Sequence, residues 1–117
     1  RDTEKADVMS TKSGDRNERK LRKSLYKAIL VLETPAECES FFQDLCTPAE
    51  LEALVDRWEV VQLVDKGVPY RQIQQTTSVS TATITRVARA LVHGAGGYRR
   101  IIDRIQNPIK EPKGRAS

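Results

Sequence analysis

Two cysteines, a single histidine and 5% aromatic residues leave this 117-residue chain short of several kinds of chemistry. Cys38 and Cys46 are too few for the disulfide framework of a small secreted domain, and they read as reduced thiols of a cytoplasmic protein. His93 stands far from both thiols in sequence, so no Cys/His metal set is expected and the imidazole reads as a helix-end or surface group. No apolar run approaches the ~20 residues of a membrane span. The chain begins at Arg1, so a processed or truncated start is expected, and the stretch that follows has no apolar core of the secretory type. A carboxylate cluster and a phosphate loop following a strand are also missing: Gly94, Gly96 and Gly97 follow a helical pattern and read as a connection. No enzymatic activity and no resident cofactor are expected.

What the chain does have is charge, unevenly placed. Net charge is +4 overall. Lys plus Arg against Asp plus Glu run 8 to 5 over residues 1–24, 2 to 9 over 25–65 and 10 to 2 over 66–117, giving +3, −7 and +8. The basic C-terminal half is the part suited to a polyanion. At 38% apolar and 31% charged, the chain is expected to fold as one modest domain with polar ends. Residues 1–16 show no apolar period and read as a disordered arm; 107–117, with two prolines and a glycine, read as a disordered basic tail.

Between these ends, residues 17–106 carry helical spacing almost throughout. Leu21, Leu25, Ile29 and Leu32 share one face of a first helix over about Asn17–Glu33. Thr34 as N-cap and Pro35 at the first helical position open a second helix through Leu45. Thr47, Pro48 and Glu50 form a capping box for a third, with Leu51, Leu54, Val55, Trp58, Val61 and Leu63, that ends at Lys66 and Gly67 and should be central to the core. "PYRQIQQTT", residues 69–77, predicts two turns anchored by Ile73. "SVSTATITRVARALVHG" then predicts a helix capped by Ser80, with Ile84, Val87, Ala88 and Leu91 inward. "YRRIIDRI" closes the domain.

The pair over about 69–92 fits a helix-turn-helix, whose second helix lies in the DNA major groove. That fit explains why poor helix formers crowd the start of the fifth helix. Thr81, Ala82, Thr83 and Thr85 are expected to face outward, flanked by Arg71, Arg86 and Arg89. Helix propensity alone would favour Ala, Lys or Glu there. Hydroxyls can hold phosphates, and methyls can sit against thymine. Caps alone would account for some of the same residues.

Residues 46–86, "CTPAELEALVDRWEVVQLVDKGVPYRQIQQTTSVSTATITR", resemble the bacterial Trp repressor superfamily: a Thr-Pro-x-Glu helix opening, an Arg in the central helix, a Gly before the reading unit and the string Ala82 to Arg86. "ECESFFQDLCTPAELEAL" upstream is similar to the YerC/YecD branch of Trp repressor-like proteins. The resemblance covers about residues 20–105. It implies an all-α, six-helix fold that intertwines with a second copy into a homodimer on double-stranded DNA. DNA-facing positions would be Arg71 and Gln74 in one helix, and Ser80, Thr81, Ala82, Thr83 and Thr85 in the next. Arg71 is the candidate for a bidentate guanine contact.

The resemblance also implies an amino-acid corepressor pocket. Its matching positions keep Thr47, Arg57 and Arg86, but a small glycine is replaced by Val87 and a serine by Ala90. Extra bulk and a lost hydroxyl count against L-tryptophan as effector. Arg57 has a second reading, as the ion-pair partner of Glu50, Glu52, Glu59 or another carboxylate. The expected function is a cytoplasmic, sequence-specific DNA-binding transcription regulator, a repressor at operator DNA. A helical protein-interaction module is the alternative, and it would scatter Arg71, Arg86 and Arg89 around the surface.

Overall fold

The computed structural model describes residues 11–108, with side chains from residue 17 onward. Six helices follow in order: α1 Thr11–Leu30, α2 Pro35–Leu45, α3 Pro48–Asp65, α4 Tyr70–Thr77, α5 Thr81–His93 and α6 Gly97–Gln106. No strand occurs among the described residues. The expected all-α, six-helix architecture is therefore present. Two compact units divide the chain, residues 1–45 and 46–117.

In the first unit, α1 begins at Thr11, inside the stretch expected to be an arm. Once a helix is nucleated, each added residue gains a backbone bond, and nothing from Thr11 to Arg16 forbids it: Gly14 costs only about 1 kcal/mol and no proline intervenes. The rest of the expected arm, residues 1–10, and of the expected tail, 109–117, lies outside the described residues. At its other end α1 stops at Leu30 rather than running to Glu33. Pro35 disfavours helical backbone at Thr34, so the chain must leave the helix beforehand. It does so through Val31 N–H to the Ala28 carbonyl at 3.3 Å and Leu32 N–H to the Ile29 carbonyl at 3.1 Å, bonds of the tighter i to i−3 kind. Thr34 then caps α2, its hydroxyl accepting from Glu37 N–H at 3.1 Å, while Glu37 Oε1 accepts from Glu33 N–H at 2.9 Å.

The second unit opens with the predicted capping box. Thr47 Oγ1 accepts from Glu50 N–H at 3.1 Å and Glu50 Oε1 accepts from Thr47 N–H at 2.9 Å. At the far end of α3, Gly67 adopts φ 82°. Its N–H reaches the Val64 carbonyl at 3.0 Å, and Val68 N–H reaches the Leu63 carbonyl at 3.1 Å, the two bonds of a Schellman stop. The left-handed backbone there is the reason for a glycine.

The core of this unit is small and local. Val60 and Val61 of α3, Ile73 of α4, Val79 of the turn, Ile84 and Val87 of α5 and Ile102 of α6 are buried together. Each fully buried aliphatic side chain stabilises the fold by about 1.5–3 kcal/mol. Trp58, Leu63, Val64, Leu91 and Tyr98 pack against this cluster, with the Trp58 and Tyr98 rings 6.4 Å apart. The centrality expected of α3 holds only for its second half, since Leu54 and Val55 remain exposed. An ion pair missed by the sequence reading ties α6 to the end of α3: Asp65 Oδ1 accepts from Arg99 Nη1 at 3.0 Å and also pairs with Arg99 Nη2. After α5 the chain turns at Gly94, where a Cβ would collide with the Ala90 carbonyl oxygen.

Candidate nucleic-acid interface

Every candidate site residue falls in the second unit, and most sit on two consecutive short helices. α4 is an eight-residue element whose Ile73 is completely buried. Because one face is committed inward, Arg71 and Gln74 are turned out, and both are exposed. Helical register adds Gln75, exposed and four residues after Arg71, which the sequence reading passed over.

The turn to α5 is built by three residues in succession. Thr77 Oγ1 donates to the Ile73 carbonyl at 2.7 Å and accepts from Val79 N–H at 3.1 Å, which places the Val79 side chain in the core. Between them Ser78 takes φ 64°, and its N–H closes on the Gln74 carbonyl at 2.8 Å. Left-handed backbone costs an L-residue about 1–2 kcal/mol, against about 0.4–1 kcal/mol of extra unfolded-state freedom for glycine. Ser78→Gly is therefore expected to stabilise the fold by roughly 0.5–1 kcal/mol. A urea midpoint that falls in this variant would show that the Ser78 side chain supports the turn.

α5 begins with a division of labour among its hydroxyls. Ser80 Oγ accepts from Thr83 N–H at 3.1 Å and donates to Thr83 Oγ1 at 3.0 Å, so these two side chains are taken up in capping. Thr83 is half-buried, whereas Thr81 and Thr85 are exposed and their hydroxyls form no hydrogen bond among the described residues. The crowding of poor helix formers thus has two causes, a cap at Ser80 and Thr83 and an uncommitted surface at Thr81 and Thr85. Further along, Ala82, Thr85, Arg86 and Arg89 follow i, i+3, i+4, i+7 spacing and are all exposed. Ile84, Val87 and Leu91 occupy the opposite side, against α3.

Electrostatics sharpen this surface. No Asp or Glu occurs between Asp65 and Asp103, so no carboxylate from this stretch neutralises Arg71, Arg86 or Arg89. None of the three arginines is ion-paired among the described residues. The arrangement offers two adjacent helices with exposed guanidinium, amide, hydroxyl and methyl groups, which together can meet phosphate oxygens and base edges.

Of the three positions matched to an effector pocket, Thr47 is committed to another role. Thr47 is the N-cap of α3, its hydroxyl bonded to Glu50 N–H. Arg57 is half-buried in the middle of α3. The alternative reading, a pairing with Glu50, Glu52, Glu59 or another carboxylate, finds no support: no ion pair of Arg57 occurs among the described residues. Glu50 is instead used by the capping box. Arg86 is exposed in the α5 stripe, and Val87 beside it is 2% exposed and part of the core. No group of three or more His, Cys, Asp or Glu that could hold a metal occurs among the described residues.

Solved structures of similar sequence share this architecture. The family model for the Trp repressor protein matches residues 20–106. The uncharacterized protein YerC of Bacillus subtilis is 40% identical over 87 residues, 74% of this chain and 84% of that protein. A Trp operon repressor homolog of Actinobacillus succinogenes is 48% identical over 54 residues, 45% of this chain and 54% of that protein. The crystal structure of a TrpR-like protein from Eubacterium eligens matches with a TM-score of 0.69 and 39% identity, covering 72% of this chain and 87% of that one.

Proposed function

Because the chain belongs to the Trp repressor family, we propose that it is a cytoplasmic, sequence-specific transcription regulator that binds operator DNA as a homodimer and represses. The observation that carries this reading is the α4–α5 unit: one side is locked into the core by Ile73, Val79, Ile84 and Val87. Its other side presents Arg71, Gln74, Thr81, Ala82, Thr85, Arg86 and Arg89 to solvent. Arg71 and Gln74 read base edges, Thr81 and Thr85 hold phosphates or bridging waters, and Ala82 meets a thymine methyl. Ser80 and Thr83 serve the surface indirectly, by fixing the start of α5.

A two-fold dimer would place two such helices in successive major grooves, about 34 Å apart. Exposed apolar residues support a partner copy: Leu21 and Leu30 of α1, Leu54 and Val55 of α3, and Ile101 and Ile105 of α6 are left in solvent by the single chain. No helix among the described residues is long and apolar enough to cross a membrane.

L-tryptophan does not tune this protein. Val87 fills space in the core, Ala90 has no hydroxyl for an amino group, and Arg86 belongs to the exposed stripe. DNA affinity measured with and without saturating L-tryptophan is expected to change less than about twofold, below ~0.4 kcal/mol. A tenfold gain would restore the corepressor pocket at Thr47, Arg57 and Arg86.

Selection of bound sequences from a random duplex library tests the central reading. A palindromic motif recovered without added ligand is the expected result. Failure to enrich any sequence, with or without a pool of amino acids, would instead favour a protein-interaction module.

A further inference from the structure

α1 carries a second basic surface, outside the α4–α5 unit. At about 100° per residue, Arg19, Lys20, Lys23 and Lys27 fall within about 100° of arc. All four are exposed. Glu18, Leu21, Leu25 and Ile29 lie on the other side of the helix. In sequence the same spacing continues back to Arg16 and Lys12.

These cations have no internal partner among the described residues. The ion pair of α1 joins Arg22 to Glu18 at 3.9 Å, off this face, and none of the four is paired among the described residues. Like charges three and four residues apart repel one another and weaken a helix, so keeping them in one stripe is unfavourable without an external anion. The stripe from Arg19 to Lys27 is about 12 Å long at ~1.5 Å per residue, and each DNA strand carries one phosphate per ~3.4 Å of axis. Four cations therefore face about three or four phosphates of one strand.

We propose that the Arg19, Lys20, Lys23 and Lys27 face of α1 binds the phosphate backbone of duplex DNA and supplies affinity without sequence preference. This rests on the DNA-binding part of the operator reading. An anionic membrane fits the stripe less well. A surface-lying helix needs its apolar side free, and Leu25, Ala28 and Ile29 are already half-buried in the fold.

The test uses the full chain with Arg19→Gln, Lys20→Gln, Lys23→Gln and Lys27→Gln combined. A charge-preserving set, Arg19→Lys with Lys20→Arg, Lys23→Arg and Lys27→Arg, controls for the fold. Binding to a selected and a scrambled duplex is followed against salt. The neutral variant is expected to lose affinity for both duplexes alike, with an unchanged consensus and a log K against log salt slope shallower by about 0.9 per lost phosphate contact. For four contacts, raising salt from about 50 to 200 mM should weaken the wild type about a hundredfold more than the variant. The charge-preserving set should keep the wild-type slope.

An unchanged slope in the neutral variant would overturn the proposal. So would dissociation of its dimer by sedimentation, which would make the stripe a protomer contact. Charge-dependent binding to phosphatidylserine vesicles with unaltered duplex binding would overturn it as well. Should the wild type select no motif while the neutral variant still shows the shallower slope on random duplex, the operator reading fails and the phosphate face stands.

Discussion

Arg71→Ala is expected to leave the fold intact and to erase a base preference at one position of each half-site. Arg71 lies in the first turn of α4, exposed and without an ion pair among the described residues, so truncation removes nothing from the core. If its guanidinium donates two bonds to guanine O6 and N7, the loss is about 1–3 kcal/mol, roughly five- to 150-fold in affinity for the preferred site. Affinity for sequences that already lack that guanine should fall far less. A phosphate contact makes a different prediction: uniform loss across sequences and a salt slope reduced by about 0.9. Arg71→Lys separates the two, because an ammonium keeps the charge but not the planar fork. Lysine rescuing affinity while the base preference stays lost marks a base contact. A base preference left intact by Arg71→Ala, with affinity rescued by lysine, would reassign Arg71 to the backbone.

The features legible in the sequence were those whose causes lie within a few residues. Thr47 and Glu50 cap α3 through bonds three residues apart, and Gly67 stops it by a local backbone requirement, so residue type and spacing sufficed. Ile73, Ile84 and Val87 were legible as inward anchors because helical period alone separates them from Arg71 and Thr85. The start of α1 was not, since helix extension over Thr11–Arg16 has no cap or apolar repeat to announce it and depends on propagation from the stable turns that follow. The Asp65–Arg99 tie, across 34 residues, has no local signal at all. Hydroxyls at the start of α5 were ambiguous for a physical reason: a helix N-terminus and a phosphate both make demands on the same short polar side chains. Their hydrogen bonds assign the Ser80 and Thr83 oxygens to the cap, whereas the Thr81 and Thr85 hydroxyls bond to nothing among the described residues. Arg57 is the reverse case, where three nearby carboxylates in sequence suggested an ion pair and helix geometry makes none among the described residues.

The neighbours Ile84 and Thr85 give the sharpest contrast between holding the surface and being the surface. Ile84 is 0% exposed and packs with Val60, Val61 and Ile73, so it joins α5 to both α3 and α4. Ile84→Ala should cost about 2–5 kcal/mol of stability, the transfer loss plus a cavity. Against a total of about 5–15 kcal/mol for a small domain, that is a large share, and a clear fall in urea midpoint is expected. DNA affinity would fall as well, by the fraction of molecules that no longer hold α4 and α5 in place. Thr85→Ala should do the opposite. Alanine is the better helix former, so the midpoint should hold or rise slightly, while a lost phosphate or water-bridged bond lowers affinity by about 1 kcal/mol, roughly fivefold. Measuring both quantities on both variants separates the roles. If Thr85→Ala bound DNA like the wild type, the Thr85 hydroxyl would not be a contact, and the reading surface would shrink to Arg71, Gln74, Thr81, Ala82 and the α5 arginines. If Ile84→Ala kept its midpoint, α5 would not depend on this anchor, and the rigid presentation on which base reading depends would have to come from the Ser80 cap and the Thr77 turn.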